Sequence, residues 1–117
     1  IPESEVIAYA EMSPDGPETQ HEKWRKSFEM WATEPEFTVE DIATISCPVL
    51  VMAGDDDVID HHHTVEMFEA IPNARLAIIP AASHRLNKEK PEQFQALIKE
   101  FLDDLSYPQT TMPQRRN

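Results

Sequence analysis

The chain has 117 residues, ten prolines and only two glycines, Gly16 and Gly54, which suits one small domain rather than two. Phosphate loops, dinucleotide fingerprints and the Gly-x-Ser-x-Gly nucleophile turn all need closely spaced glycines, and these two lie far apart. A formal net charge of −12, from 10 Lys+Arg against 22 Asp+Glu, makes nucleic acid and anionic membrane surfaces poor partners.

In chain order, Val6, Ile7 and Tyr9 are ambiguous, the end of a helix being one reading. Ser13-Pro14-Asp15-Gly16-Pro17 is a turn cluster. Trp24, Phe28 and Trp31 then recur at i, i+4 and i+7 among charged residues, which predicts an amphipathic helix over roughly 18–33, ended by Pro35. These rings are expected to pack against the core, with a substrate pocket as the outside reading. Thr38-Val39-Glu40-Asp41 carries the pattern of a short capping box. The lone cysteine, Cys47, cannot form an intramolecular disulfide, which favours a reducing, cytoplasmic location. Beside an apolar run it reads as a core filler.

From Pro48 the pattern changes. Val49-Leu50-Val51-Met52-Ala53 is apolar on both alternations, as in a parallel strand buried on both faces. It ends at Gly54-Asp55-Asp56-Asp57. Val65, Phe68 and Ile71 follow at helical spacing and stop at Pro72. Residues 75–79 form a second short strand closing at Pro80. A last helix opens at Pro91, with Phe94, Leu97, Ile98, Phe101, Leu102 and Leu105 on one face. Residues 107–117 lack periodicity and are expected to fray as a flexible tail. The predicted organisation is therefore a helical segment over 1–40, a strand–helix–strand–helix α/β unit over 41–106, and the tail. No apolar stretch approaches the ~20 residues of a membrane span.

In open parallel sheets, functional groups gather beyond the carboxyl ends of the strands. Asp57 follows the first strand there and His84 the second. Neighbouring strands lie only ~5 Å apart, so the two side chains can meet as a general-base pair, the carboxylate fixing the imidazole tautomer. Either residue alone is more often a turn former or a solvated loop residue. Asp55 and Asp56 read as turn residues or loop supports.

These residues carry a resemblance. Pro48-Val49-Leu50-Val51-Met52-Ala53-Gly54-Asp55-Asp56-Asp57 resembles the acid strand and loop of α/β-hydrolase-fold enzymes, whose Gly-x-x-Asp pattern supplies a triad acid. Ser83-His84-Arg85-Leu86-Asn87-Lys88-Glu89-Lys90-Pro91 resembles the family's His-x4-Glu-x-Pro segment, whose histidine is the triad base. Residues 9–18 look like the end of the cap in bacterial members. The resemblance implies an α/β fold, the C-terminal part of a hydrolase in which two parallel strands with flanking helices follow a helical cap-derived segment. It assigns Asp57 and His84 as catalytic residues acting on a small-molecule substrate without a cofactor. Ser83 departs from the glycine often found before the histidine. None of the six serines (Ser4, Ser13, Ser27, Ser46, Ser83, Ser106) sits in a nucleophile elbow. The chain opens Ile-Pro-Glu-Ser, without Met, signal or transit pattern. The expectation is a piece of a longer hydrolase whose nucleophile lies upstream, inactive by itself for want of that atom and of oxyanion donors.

Two other readings stay open. Asp55, Asp56, Asp57, Asp60, His61, His62 and His63 form a dense donor cluster that could hold Mg²⁺ or Zn²⁺, although consecutive helical histidines point about 100° apart. A non-catalytic interaction module is the third possibility. On the fragment reading the edge of the first strand, Val49–Ala53, is expected to be covered, by a homo-oligomer continuing the sheet or by residues 1–40 folding back.

Overall fold

The computed structural model describes residues 1–116, which form two compact units, Ile1–Glu36 and the residues from Phe37 onward. Helix α1 is Glu3–Met12, a 3₁₀ turn spans Pro17–Thr19, and α2 is Gln20–Thr33. Glu3 and Glu5 in the first turn of α1 suit the positive end of the helix dipole. Apolar side chains all round α1 hide its period from the sequence. Gly16 enters the 3₁₀ turn at φ 83°, a conformation that costs a residue with a Cβ. The Thr19 hydroxyl donates to Gly16 O at 2.8 Å, leaving the Tyr9 hydroxyl, 2.7 Å away, to donate to Thr19. Buried Gln20 donates through Nε2 to Glu5 O at 3.2 Å. These bonds tie α1 to α2. The aromatic stripe forms as expected, with ring centroids 5.5 Å apart for Trp24–Phe28 and 5.2 Å for Phe28–Trp31. Phe28 and Trp31 nevertheless remain 54% and 64% exposed, so these two pack on one another instead of filling a core.

The second unit begins with α3, Val39–Ala43, behind the expected capping box. The Asp41 amide donates to Thr38 Oγ1 at 3.1 Å and the Thr38 amide to Asp41 Oδ2 at 2.9 Å. Strand β1 is Val49–Gly54, helix α4 His61–Ala70 and strand β2 Ala74–Ile79. The strands pair in parallel, from Val49 opposite Ala74 to Gly54 opposite Ile79. Helix α5, Leu86–Glu89, and helix α6, Pro91–Asp103, complete the unit. The hydrophobic period did not disclose α5, because a single turn spans too few residues to show one.

The alternation of the strands divides the core in two. On one face Val51, Ile71 and Ala74 are buried with Ile42, Ile45, Phe68 and Leu76 against them. On the other, Ile79, Ala82 and Leu86 are buried beneath Met52, Phe94 and Leu97. Helices thus cover both faces, as a parallel pair requires. Burial is uneven: Val51 and Ala53 are enclosed, while Leu50 and Met52 are only half-buried, so β1 is not buried on both faces to the degree its composition implies. Cys47 is exposed and not a core filler; it lies in the loop before β1, outside both clusters.

The described residues of the tail, 107–116, form no helix or strand, as their lack of period implies, yet they are anchored. Pro72 has no N–H to offer the Phe68 carbonyl four residues back, leaving an orphan at the end of α4. Arg115 supplies the missing donor: its Nη2 donates to Phe68 O at 3.2 Å and Glu69 O at 3.3 Å. Its guanidinium lies 3.8 Å from the Phe68 ring centroid. Arg116 donates to Ala74 O at 2.8 Å. Arg75 holds the segment after α6 through Asp104 O at 2.7 Å and Ser106 O at 2.8 Å. Among the described residues no helix is long and apolar enough to cross a membrane.

Candidate active site

The carboxyl ends of β1 and β2 lead into two loops joined by backbone contacts. The Asp55 amide donates to Ile79 O at 3.0 Å and the Asp56 amide to Ala82 O at 2.9 Å. The Ala82 amide donates back to Asp55 Oδ1 at 3.3 Å. Where the loops touch, Gly54 has no room for a side chain: a Cβ there would lie 2.0 Å from Ala82 O and 2.7 Å from Ser83 O. Ala81 turns the second loop at φ 54°, a left-handed conformation costing on the order of 1 kcal/mol that the surrounding bonds must impose.

This junction brings Asp57 and His84 together. The Nδ1 of His84 lies 2.9 Å from Asp57 Oδ1. A carboxylate only accepts, so Nδ1 carries the proton and Nε2 is left as the basic nitrogen of the neutral ring. The Asp57 side chain is 5% exposed and that of His84 64%: a buried acid backs an accessible base. Burial pushes the Asp57 carboxyl up, but the Ile59 amide, the bond and charge of His84 and the Gly54 backbone together outweigh it, and the carboxyl is held below its usual range. The Ile59 amide donates to the same Oδ1 at 2.9 Å. The oxygen that faces the imidazole is therefore also fixed by the backbone of its own loop.

The neighbouring acids and histidines do different work. Asp60 caps α4 by accepting from the His62 amide at 2.7 Å. His61 reaches back to Gly54 O, 3.1 Å from its Nε2, which must donate because a carbonyl accepts. Asp55 supports the Ala82 loop, as described above. The donor cluster over residues 55–63 therefore does not converge: among the described residues no three His, Cys, Asp or Glu side chains come together to hold a metal. The Mg²⁺ or Zn²⁺ reading is corrected on that ground, with Asp55, Asp57, Asp60 and His61 engaged in capping and loop bonds instead.

Sequence reasoning assigned no role to Glu89, although it stands in the quoted His-x4-Glu-x-Pro segment. In the structure its carboxylate takes the Ser83 amide at 3.0 Å and also the Ser83 hydroxyl. The same hydroxyl accepts from the Arg85 amide at 3.2 Å. Bonds from the Ser83 hydroxyl and amide, with the charges of Lys90 and Arg85, hold the Glu89 carboxyl below its usual range. Ser83, the hydroxyl nearest His84 in sequence, is thus committed to Glu89 and is not poised beside the imidazole as a nucleophile. Four residues separate the histidine from this acid, and that spacing was the available signal.

No family model matches the chain. Among curated proteins it is 41% identical over 69 residues to a protein provisionally named carbamate hydrolase RutD from Caulobacter sp. (strain K31), over 57% of this chain and 26% of that one. It is 30% identical over 64 residues to a protein provisionally named 2-succinyl-6-hydroxy-2,4-cyclohexadiene-1-carboxylate synthase from Bacillus subtilis (strain 168), covering 55% of this chain and 23% of that one. The chain thus spans about a quarter of the length of the curated relatives it matches. Among solved structures, a protein provisionally named non-heme bromoperoxidase BpoC from Mycobacterium tuberculosis H37Rv superposes with a TM-score of 0.57 at 26% identity, over 72% of this chain and 37% of that one. CarC, a serine hydrolase involved in carbazole degradation, superposes with a TM-score of 0.65 at 22% identity, over 78% of this chain and 35% of that one; this second likeness is one of fold.

Proposed function

The chain carries part of an α/β-hydrolase fold, and from that premise we propose that it supplies the acid and the base of a hydrolase acting on ester-like or related bonds of a small molecule. Asp57 orients His84 and stabilises its imidazolium. His84, through Nε2, takes the proton of a nucleophile that comes from outside these 117 residues, and returns it to the leaving group. The observation that carries this reading is the 2.9 Å contact between a buried carboxylate and the Nδ1 of an exposed imidazole. The names of the relatives support it: one is called a carbamate hydrolase and another a serine hydrolase. The single exposed cysteine accords with a cytoplasmic setting.

Two measurements test the proposal. In the longer protein that contains this chain, His84→Ala is expected to lower hydrolysis by at least about 100-fold, the usual scale of lost general-base catalysis; unchanged activity would remove His84 from the mechanism. The 117-residue chain alone is expected to leave p-nitrophenyl acetate at its buffer rate. Turnover by the chain that disappears in His84→Ala would overturn the requirement for an outside nucleophile.

A further inference from the structure

The His84 ring is mostly exposed, so packing does not hold it in place. Its single bond to Asp57 must be supported through the backbone. The residues on either side of it are bound to one another and to one carboxylate. Before it, Ser83 gives both its amide and its hydroxyl to Glu89. After it, the Arg85 amide donates to the Ser83 hydroxyl at 3.2 Å. The Ser83 hydroxyl therefore gives its proton to Glu89 and receives one from Arg85, closing a loop across the His84 backbone. Glu89 belongs to α5, whose Leu86 is buried against Ile79 and Ala82. The carboxylate is thus mounted on the core beneath the sheet.

Building on the catalytic reading above, we propose that the Ser83–Glu89 pair is a positioning clamp that holds the His84 imidazole in register with Asp57. Neither residue touches the reacting atoms; both act through the His84 backbone. Ser83 is the residue that departs from the glycine often found before the histidine. A glycine there would keep the amide bond to Glu89 but lose both hydroxyl contacts. This chain therefore makes two more bonds at that turn than a glycine would allow.

The test reads the imidazole itself, in the 117-residue chain. Nitrogen-15 shifts of the His84 ring report the Nδ1–H tautomer that Asp57 selects. In Glu89→Ala the ratio of Asp57-bound to free imidazole is expected to fall about two- to ten-fold, the scale of one or two lost hydrogen bonds. Ser83→Ala should produce a smaller drop, and Glu89→Gln should recover part of the loss through its remaining carbonyl acceptor. Asp57→Asn marks the fully uncoupled limit. Folding is checked for each variant by circular dichroism; if Glu89→Ala does not fold, Ser83→Ala, which removes only one oxygen, decides. Folded variants whose tautomer ratio matches that of the unaltered chain overturn the clamp. These signals exist whether or not the longer protein uses His84 in turnover, so failure of the clamp and failure of the hydrolase reading are told apart.

Discussion

Asp57 gains its ionised character from a small set of nameable groups: the Ile59 amide, His84 and the Gly54 backbone, acting against its own burial. Because its folded value is depressed, it binds its proton less readily folded than unfolded. Its contribution to stability is therefore complete above the ordinary aspartate value of 3.8 and is lost as pH falls through the lower folded value. Acid unfolding followed by circular dichroism should show this loss in the unaltered chain and not in Asp57→Asn. In His84→Ala, two of the lowering causes disappear, and the Asp57 carboxyl followed by carbon-13 shifts should titrate higher. An unmoved carboxyl in that variant would mean that His84 does not engage it.

Among the elements, α4 shows how a local deficit is met from far along the chain. No basic residue occupies its last turn, and Pro72 withholds one amide. Arg115 provides two hydrogen bonds and a positive charge at the carbonyl end, where a cation is favoured. Arg115→Ala should lower stability by about 0.5–1 kcal/mol, read as a drop in thermal midpoint, and Arg115→Lys should recover only part of it, since an ammonium lacks the planar fork. The sequence discloses α2, α3, α4, α6 and both strands because their caps, stops and periods are local. It does not disclose the α4 anchor, since nothing near Arg115 in sequence indicates a proline-depleted helix end more than forty residues away. The same distinction holds at the site. Asp57 and His84 are legible because parallel pairing puts strand ends together. The bonds of Glu89 are not, because the spacing marks the acid but only the fold shows that its two oxygens meet the Ser83 amide and hydroxyl.

For the whole molecule, the balance of exposed and buried apolar side chains is unusual. Among the described residues the enclosed hydrophobic set is small and includes three alanines, while Phe28, Trp31, Phe37, Val58 and Leu102 stand exposed. The sheet has two strands, and β1 presents an edge that no other described strand pairs. Such an edge invites another strand. We propose that in the isolated chain it pairs with a second copy. Sedimentation velocity over a range of concentrations is expected to show reversible self-association. It should weaken in Leu50→Lys, at a half-buried position near the start of β1. A concentration-independent monomer would rule this arrangement out.

The meeting of Gly54 with Ala82 has a consequence for how the molecule can vary. Adding or deleting one residue between Gly54 and Asp56, or between Ile79 and Ala82, would carry the Asp56 amide out of register with Ala82 O. The two loops, distant in the chain, are therefore tied in length. Grafting one of them from a relative without its counterpart would import half of a matched joint. The pair must be exchanged together, with the glycine kept between them.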